Sequence, residues 1–396
     1  MRRVAIEPRD GWQQKVEAVG LTFHTLENGD PYWDESAAYE FSANEIDTLE
    51  AAGNQMQEMC LAAAQHIIDN KRYAELEIPE AAIAAIEWAW SNEPPALYGR
   101  FDFSWAGIAS EEHPKLLEYN ADTPTSLLEA AVVQWHWLEE MPEQLVGANR
   151  DQFNSIHEKL IAKWKDIDSY LSKPVYFAAL DVPEDQLTTV YLRDTAQQAG
   201  IETLQMYMAE IGWNDEQQLF LDPNEDPMFS IFKLYPWESM LAEEFGAHAL
   251  GTYTNVRWIE PIWKMLLSNK GILPILWELY PGHKNLLEAY FDSPGPSGES
   301  MMTSYVRKPL LSREGANISL VRPYSEPVVT GGPYAGGRTV CQALAPDAIF
   351  TTANETPRYP VLGLWMVDQE CCGMGIREST GPITDNWSSF VPHFFV

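Results

Sequence analysis

The chain has 396 residues, 45% of them apolar, with fifteen Trp, 26 basic and 58 acidic side chains and a formal net charge of −32. That length and composition predict two or three domain-sized units with substantial cores, and exclude a disordered chain. The acidic balance excludes a general affinity for nucleic acid or an anionic membrane; it suits a cationic substrate drawn in by long-range attraction, or plain solubility.

The N-terminus, MRRVAIEPRD, carries basic residues with no apolar core behind them, so no secretory signal is expected. No apolar run approaches the roughly 18 residues that a membrane helix needs. Cys60, Cys341, Cys371 and Cys372 match neither a disulfide framework nor a zinc pattern, which points to a reducing cytoplasm. Residues 1–41 are aromatic and acidic without clear period. Ser42 and Glu45 then make a capping box for a helix to about Arg72, with Ile46, Leu49, Met56, Cys60 and Ile67 on its apolar face. Pro79 opens a second helix, AAIAAIEWAW, ending before Pro94-Pro95. Residues 1–97 are expected to form a mainly helical region.

The stretch Arg100–Glu129 holds the densest chemistry. RFDF alternates as a strand does, with Arg100 and Asp102 on one face; in KLLEYNAD, Glu118 and Asn120 again share a face. If the two pair, one surface carries a guanidinium, two carboxylates and an amide. Carboxylate and amide oxygens suit Mg²⁺, and the arginine fork suits phosphate or transition-state charge. A salt-bridged surface hairpin accounts for the spacing equally well. Thr123 and Pro124 read as cap and first turn of a helix to about Glu140, and Asp151 as the cap of another whose stripe runs from Phe153 to Leu171.

PVYFAAL, a helix to Gly200 and IETLQMYM predict a β-α-β unit. Ligands gather beyond the carboxyl ends of such strands, where Asp181, Glu184 and Asp185 fall. These acids can hold a cationic amine or simply cap the helix. FSIFKLYPWESM predicts a strand, a turn and a helix, completing an α/β region over 98–250.

In the last region, 251–396, Trp258–Ser268 reads as a helix, Lys270 follows it, and ILPILW reads as an apolar strand. After a Pro/Gly/Ser loop (293–300), a strand ends at Arg307-Lys308. Arg313 and Gly315 then occupy a polar segment able to close as a lid. GGPYAGG (331–337) lacks the Lys-Ser/Thr ending of a P-loop and predicts a turn between strands. RYPVLGLWMVD is a further strand, followed by Arg377 in a Gly-punctuated turn. Lys270, Lys308, Arg313 and Arg377, set beside Asp102, Glu118 and Asn120, form a set suited to a nucleoside triphosphate with Mg²⁺.

GRFDFSW, KLLEYNADTPTSLLE, FKLYPWE, WK through LPILW, KPLLSREGANI and GMGIRES, in that order, resemble the glutathionylspermidine synthase family, in particular its stand-alone, synthetase-only acid–amine ligases. The resemblance runs from about residue 98 to the C-terminus. It implies an α/β, ATP-grasp-like fold with antiparallel sheets around ATP, and amide formation between a carboxylate and an amine through an acyl phosphate. By position, Asp102, Glu118 and Asn120 match the family's magnesium ligands and Arg100 an arginine near the transferring phosphate. Lys270 and Lys308 match ATP-binding lysines, Arg313 a mobile-loop arginine, and Arg377 an arginine at substrate or phosphate. Gln342 matches a nucleotide-contacting glutamine, and Thr123 and Thr125 replace serines near the acid substrate. Asp181, Glu184 and Asp185 fall in the substrate-facing region.

Two departures stand out. The cysteine amidase of the bifunctional members is not expected here, and the hairpin tip Ala106–Pro114 is a few residues longer. The expectation is therefore a cytoplasmic ATP- and Mg²⁺-dependent ligase, monomer or homodimer, joining a glutathione-like acid to a polyamine or other cationic amine. The competing readings are a two-carboxylate glycoside hydrolase using Asp102 and Glu118, and a polyamine- or cationic-peptide-binding protein without turnover.

Overall fold

The structure is a computed structural model that describes residues 1–298, 301–352 and 354–396; the last two residues of the 293–300 loop lie outside the described residues. Strand β1 (Arg2–Ala5) pairs antiparallel with β2 (Ala37–Phe41). Helix α1 (Ala43–Asp69) starts at the expected capping box: Ser42 Oγ accepts from the Glu45 amide, and the Glu45 carboxylate accepts from the Ser42 amide. Its buried face includes Ile46, Leu49, Met56, Cys60 and Ile67, and α2 (Glu80–Asn92) follows directly after Pro79.

Strands β3 (Tyr98–Ser104) and β4 (Lys115–Asn120) form the expected antiparallel pair. The entry to β3 is clamped by Glu260, which accepts from the amides of Leu97 and Tyr98 and is ion-paired with Lys264 at 2.5 Å. Beyond β4 the backbone differs from expectation. Thr123-Pro124 does not start a helix; the helical segment begins at Leu127, after Ser126 at φ +64°, and runs through a π-helical turn (Glu129–Val133) into α3 (Gln134–Glu140). The carbonyls a first turn would have used are taken instead, Pro124 O by the Tyr98 hydroxyl and Thr125 O by Arg100. Likewise Asp151 caps no helix; it pairs with Phe395, and α4 (Ile156–Ile167) starts after Ser155.

Strand β5 (Val175–Ala179), helix α5 (Pro183–Gln198) and β6 (Thr203–Tyr207) are the predicted β-α-β unit. With β7 (Ser230–Leu234) and β8 (Arg257–Ile259) they build a parallel sheet in the order β8-β7-β5-β6. Helix α6 (Trp237–Ala242) follows β7 across Pro236. The predicted helix at Trp258–Ser268 resolves into β8 and short helical turns after Pro261. ILPILW is not a strand but α7 (Ile272–Leu279). An all-apolar run of this length fits a buried helix as well as a buried strand. Pro274, in the first turn, loses nothing there by lacking an N–H, whereas a central strand would lose a ladder bond.

The C-terminal third supplies two antiparallel sheets. One runs β9 (Ala289–Phe291), β13 (Thr339–Ala343), β10 (Tyr305–Pro309), β11 (Ser319–Val321), β12 (Val328–Val329). In the other, β14 (Pro357–Val367) pairs with β3 on one side and β15 (Glu370–Ser379) on the other, giving β16-β15-β14-β3-β4 with β16 at Ser389–Phe390. Arg377 thus lies within β15, opposite Val361, rather than in a turn. The GGPYAGG segment does connect two strands, β12 and β13. Strand β17 (His393–Phe395) returns to β2, so the chain end is stitched to its beginning.

Candidate active site

The two antiparallel sheets face each other across a cavity of about 440 Å³, and the carboxyl ends of β5 and β7 open into it. One wall is the β3–β4 pair. The register sets Asp102 opposite Glu118 and Arg100 opposite Asn120, and the pairing slips by one residue just beyond Asp102. Arg100 grips Asp102 through Nε at 2.7 Å and Nη2 at 3.1 Å, while Nη1 donates to Thr125 O at 2.8 Å. This flat approach needs Gly363 on β14, where a Cβ would sit 2.8 Å from Arg100 Cδ. The amide of Asn120 donates to Asp102 Oδ2 at 3.1 Å and to Glu118 Oε1 at 3.4 Å.

The facing wall carries the lysines. Lys270 Nζ is 2.8 Å from Glu118 Oε2 and also donates to Ser312 O. Lys308 Nζ donates to Leu117 O at 2.9 Å and to Gln342 Oε1 at 2.8 Å. Burial opposes ionisation of Glu118, but Lys270 and Lys308, with hydrogen bonds from Lys270 and Asn120, outweigh it and hold the carboxyl down at about 2. Burial brings Lys308 down to about 8, with Glu118 opposing the fall and Lys270 adding to it. These two buried ammonium groups sit with one carboxylate between them, so an incoming polyanion finds positive charge already in place.

A second pair of acids, Glu184 and Asp185, lines the same cavity. Glu184 accepts from the Thr125 hydroxyl at 2.6 Å. Burial, then Glu184 and Glu314, raise the Asp185 carboxyl to about 6 against the pull of Arg313. Arg377 lies over the Tyr32 ring at 5.3 Å and donates to Ser388 O at 2.9 Å.

Arg100, Asp102, Glu118, Asn120, Thr123, Thr125, Glu184, Asp185, Lys270, Lys308, Arg313 and Arg377 all line this one cavity. Two predicted residues do not. Asp181 is exposed and off the wall. Gln342 sits behind Lys308, accepting from it and donating to Leu116 O at 3.0 Å, where it sets the lysine's direction and does not itself face the cavity. Sequence reasoning missed the buried pair Asp122–Lys233 (2.7 Å), which pins the β4 exit to the β7–α6 turn. It also missed Glu129, buried against the Tyr32 hydroxyl (2.6 Å) and pushed up to about 7 by that burial. The signals were present, a lysine inside the apolar run FSIFKL and an acid two residues past Asn120.

Two carboxylates and an amide form a donor set that suits a hard cation whose remaining positions go to water and phosphate. Among the described residues no cluster of three or more His, Cys, Asp or Glu offers a rival metal site. Asn120 presents its nitrogen to the carboxylates here; a half-turn of the amide would present its oxygen. A glycoside hydrolase needs one of the two carboxyls kept protonated, whereas here Glu118 is paired with Lys270 and Asp102 is held by Arg100 through two nitrogens.

The sequence matches the model of the glutathionylspermidine synthase preATP-grasp family over residues 3–396. A Haemophilus influenzae protein, provisionally named an acid–amine ligase, is 40% identical over 410 residues, covering 100% of both chains. A trypanothione synthetase of Crithidia fasciculata is 27% identical over 362 residues, 86% of this chain and 54% of that protein. A bifunctional glutathionylspermidine synthetase/amidase of Escherichia coli is 28% identical over 346 residues, 80% and 52% respectively. The chain therefore spans about half the length of these last two relatives. Among solved structures, a glutathione synthetase-like effector of Globodera pallida superposes with a TM-score of 0.56 at 10% identity, covering 99% of this chain and 98% of that one. The mixed α/β, ATP-grasp-related fold expected from the sequence is the fold found.

Proposed function

The chain belongs to the glutathionylspermidine synthase preATP-grasp family, and from that premise we propose that it is an ATP- and Mg²⁺-dependent carboxylate–amine ligase. The observation that carries the proposal is that one cavity gathers Lys270 and Lys308, the carboxylates Asp102 and Glu118 with Arg100 and Asn120 beside them, and a second acidic pair, Glu184 and Asp185. In the reaction, a carboxylate oxygen of the acid attacks the γ-phosphorus of ATP, releasing ADP and giving an acyl phosphate. The amine nitrogen then attacks the acyl carbon, and phosphate leaves with the C–O bonding pair.

Lys270 and Lys308 hold the phosphates, and Arg100, fixed in one plane by Asp102, meets the charge that develops on the transferring group. Magnesium, held by Asp102, Glu118 and Asn120, would neutralise phosphate charge. Thr123, Thr125 and Arg377 orient the acid substrate. Glu184 and Asp185 hold the cationic amine, and Asp185 takes the proton released as the amine attacks. A glutathione-like peptide and a polyamine are the substrates to try first, as the names of the relatives and the acidic pair Glu184 and Asp185 both favour them.

The test is phosphate release from ATP with Mg²⁺ across a matrix of acids and amines, including glutathione with spermidine. Release that requires both an acid and an amine is expected. Release with neither, or with one alone, refutes the ligase assignment.

A further inference from the structure

Arg313, at the roof of the cavity, is already engaged. Its Nη2 lies 2.5 Å from Oε1 of Glu238, and the two side chains are 29% and 17% exposed. Glu238 occupies the first turn of α6, where an acid ordinarily serves the helix dipole. That role is taken here: the Trp237 amide donates to Asp122 Oδ2 at 2.9 Å. The Glu238 carboxylate is instead directed at Arg313. Asp122, two residues past Asn120, also holds Lys233 at 2.7 Å. One polar path thus runs from the end of β4 through Asp122 to α6, and through Glu238 to Arg313. The loop around Arg313 also rests on the opposite wall. Gly315, at φ +67°, lies so near Thr384 that a Cβ would come within 2.3 Å of its carbonyl oxygen. Asn386 reaches Glu314 at 2.6 Å.

We propose that Glu238 is a positioning residue for Arg313, holding the guanidinium against α6 in the free protein and competing for it with the phosphates of the nucleotide. The phosphate ligand rests on the ligase assignment above; the latch itself rests on the Arg313–Glu238 contact. An arginine that must leave a carboxylate to reach a phosphate exchanges one charge-assisted partner for another, so the latch weakens nucleotide binding and limits closure to ligands strong enough to displace it.

The test uses the full chain and its Glu238→Gln, Arg313→Ala and double variants, titrated calorimetrically with Mg²⁺ and a non-hydrolysable ATP analogue. Glu238→Gln should tighten binding by about fivefold, the upper range for a partly exposed ion pair, and should do nothing in the Arg313→Ala background. Hydrogen exchange without nucleotide supplies the second readout: amides of residues 311–317 should exchange faster in Glu238→Gln, with the rest of the chain unchanged. Equal tightening in both backgrounds, weaker binding by Glu238→Gln, or unaltered exchange in the loop would overturn the latch. If Glu238→Gln does not fold, Glu238→Asp, which shortens the reach, should shift both readouts in the same direction. If the wild-type chain binds no nucleotide, the ligase assignment fails, and loop exchange alone decides the latch.

Discussion

Lys308 offers the sharpest test of how the cavity reads a polyanion. Its ammonium is buried, donates to Leu117 O and Gln342 Oε1, and is brought down by that burial to about 8. The charged form therefore dominates at neutral pH and disappears as pH rises through about 8. If only the charged form holds phosphate, nucleotide affinity should be flat between pH 6.5 and 7.5. It should then fall toward about tenfold per unit above pH 8, equivalent to about 1.4 kcal/mol per unit. The assay is calorimetric titration with Mg²⁺ and a non-hydrolysable ATP analogue from pH 6.5 to 9.5. Lys308→Met, close in shape to the stem it replaces, should bind weakly at every pH and show no such fall. A wild-type affinity that stays level to pH 9.5, or a fall that survives in Lys308→Met, would refute the assignment of phosphate binding to this residue.

Gln342 should act through the same lysine. Gln342→Leu removes a charge-assisted hydrogen bond of a kind worth about 1.5–3 kcal/mol, so KM for ATP should rise at least tenfold with kcat nearly unchanged; a loss confined to kcat would argue against it. Lys233→Met leaves Asp122 buried without its 2.7 Å partner and should cost about 3–5 kcal/mol in denaturant unfolding. Asp122→Asn with Lys233→Met should recover most of that loss, and no recovery would mean the pair is not acting as a unit. His393 is fully buried, and burial brings it down to about 3. Below pH 6.5 the unfolded chain takes a proton that folded His393 refuses, so stability should fall by about 2 kcal/mol between pH 6.5 and 5. Glu129, pushed up to about 7, acts in the opposite sense, favouring the folded state as pH falls. The wild-type slope minus that of His393→Asn isolates the histidine, and identical slopes would sink the prediction.

What was legible in the sequence follows the range of the interactions concerned. Alternation within β3 and β4 put Asp102, Glu118, Asn120 and Arg100 on one face, because a strand's period is local and the two strands are consecutive in the chain. The capping box at Ser42 and the β-α-β unit were readable for the same reason. Where local pattern was ambiguous, tertiary contacts decided. ILPILW has no polar residue to reveal a period, and it became a helix. Thr123-Pro124 carries a plausible capping signature, yet Tyr98 and Arg100 claimed the carbonyls that a first turn would have used.

The residues that sequence reasoning missed share one property: each acts through a partner far along the chain. Asp122 and Lys233 are 111 positions apart, and Glu238 and Arg313 are 75 apart. Asp122, Lys233 and Glu238 carry only a weak signal by themselves, since a lone lysine in an apolar strand or a lone acid in a helix's first turn also has an ordinary explanation, whereas Arg313 was readable and its partner was not. Yet these pairs decide where the readable residues point. Arg100 can lie flat against Asp102 because β14 offers Gly363, and Lys308 is aimed by Gln342 from a neighbouring strand. Chemistry in this cavity is thus written locally in β3 and β4, while its geometry depends on contacts between segments far apart in the chain. Changes at Gly363, Gln342 or Glu238 should therefore alter nucleotide handling without touching a single residue of the Asp102–Glu118–Asn120 set.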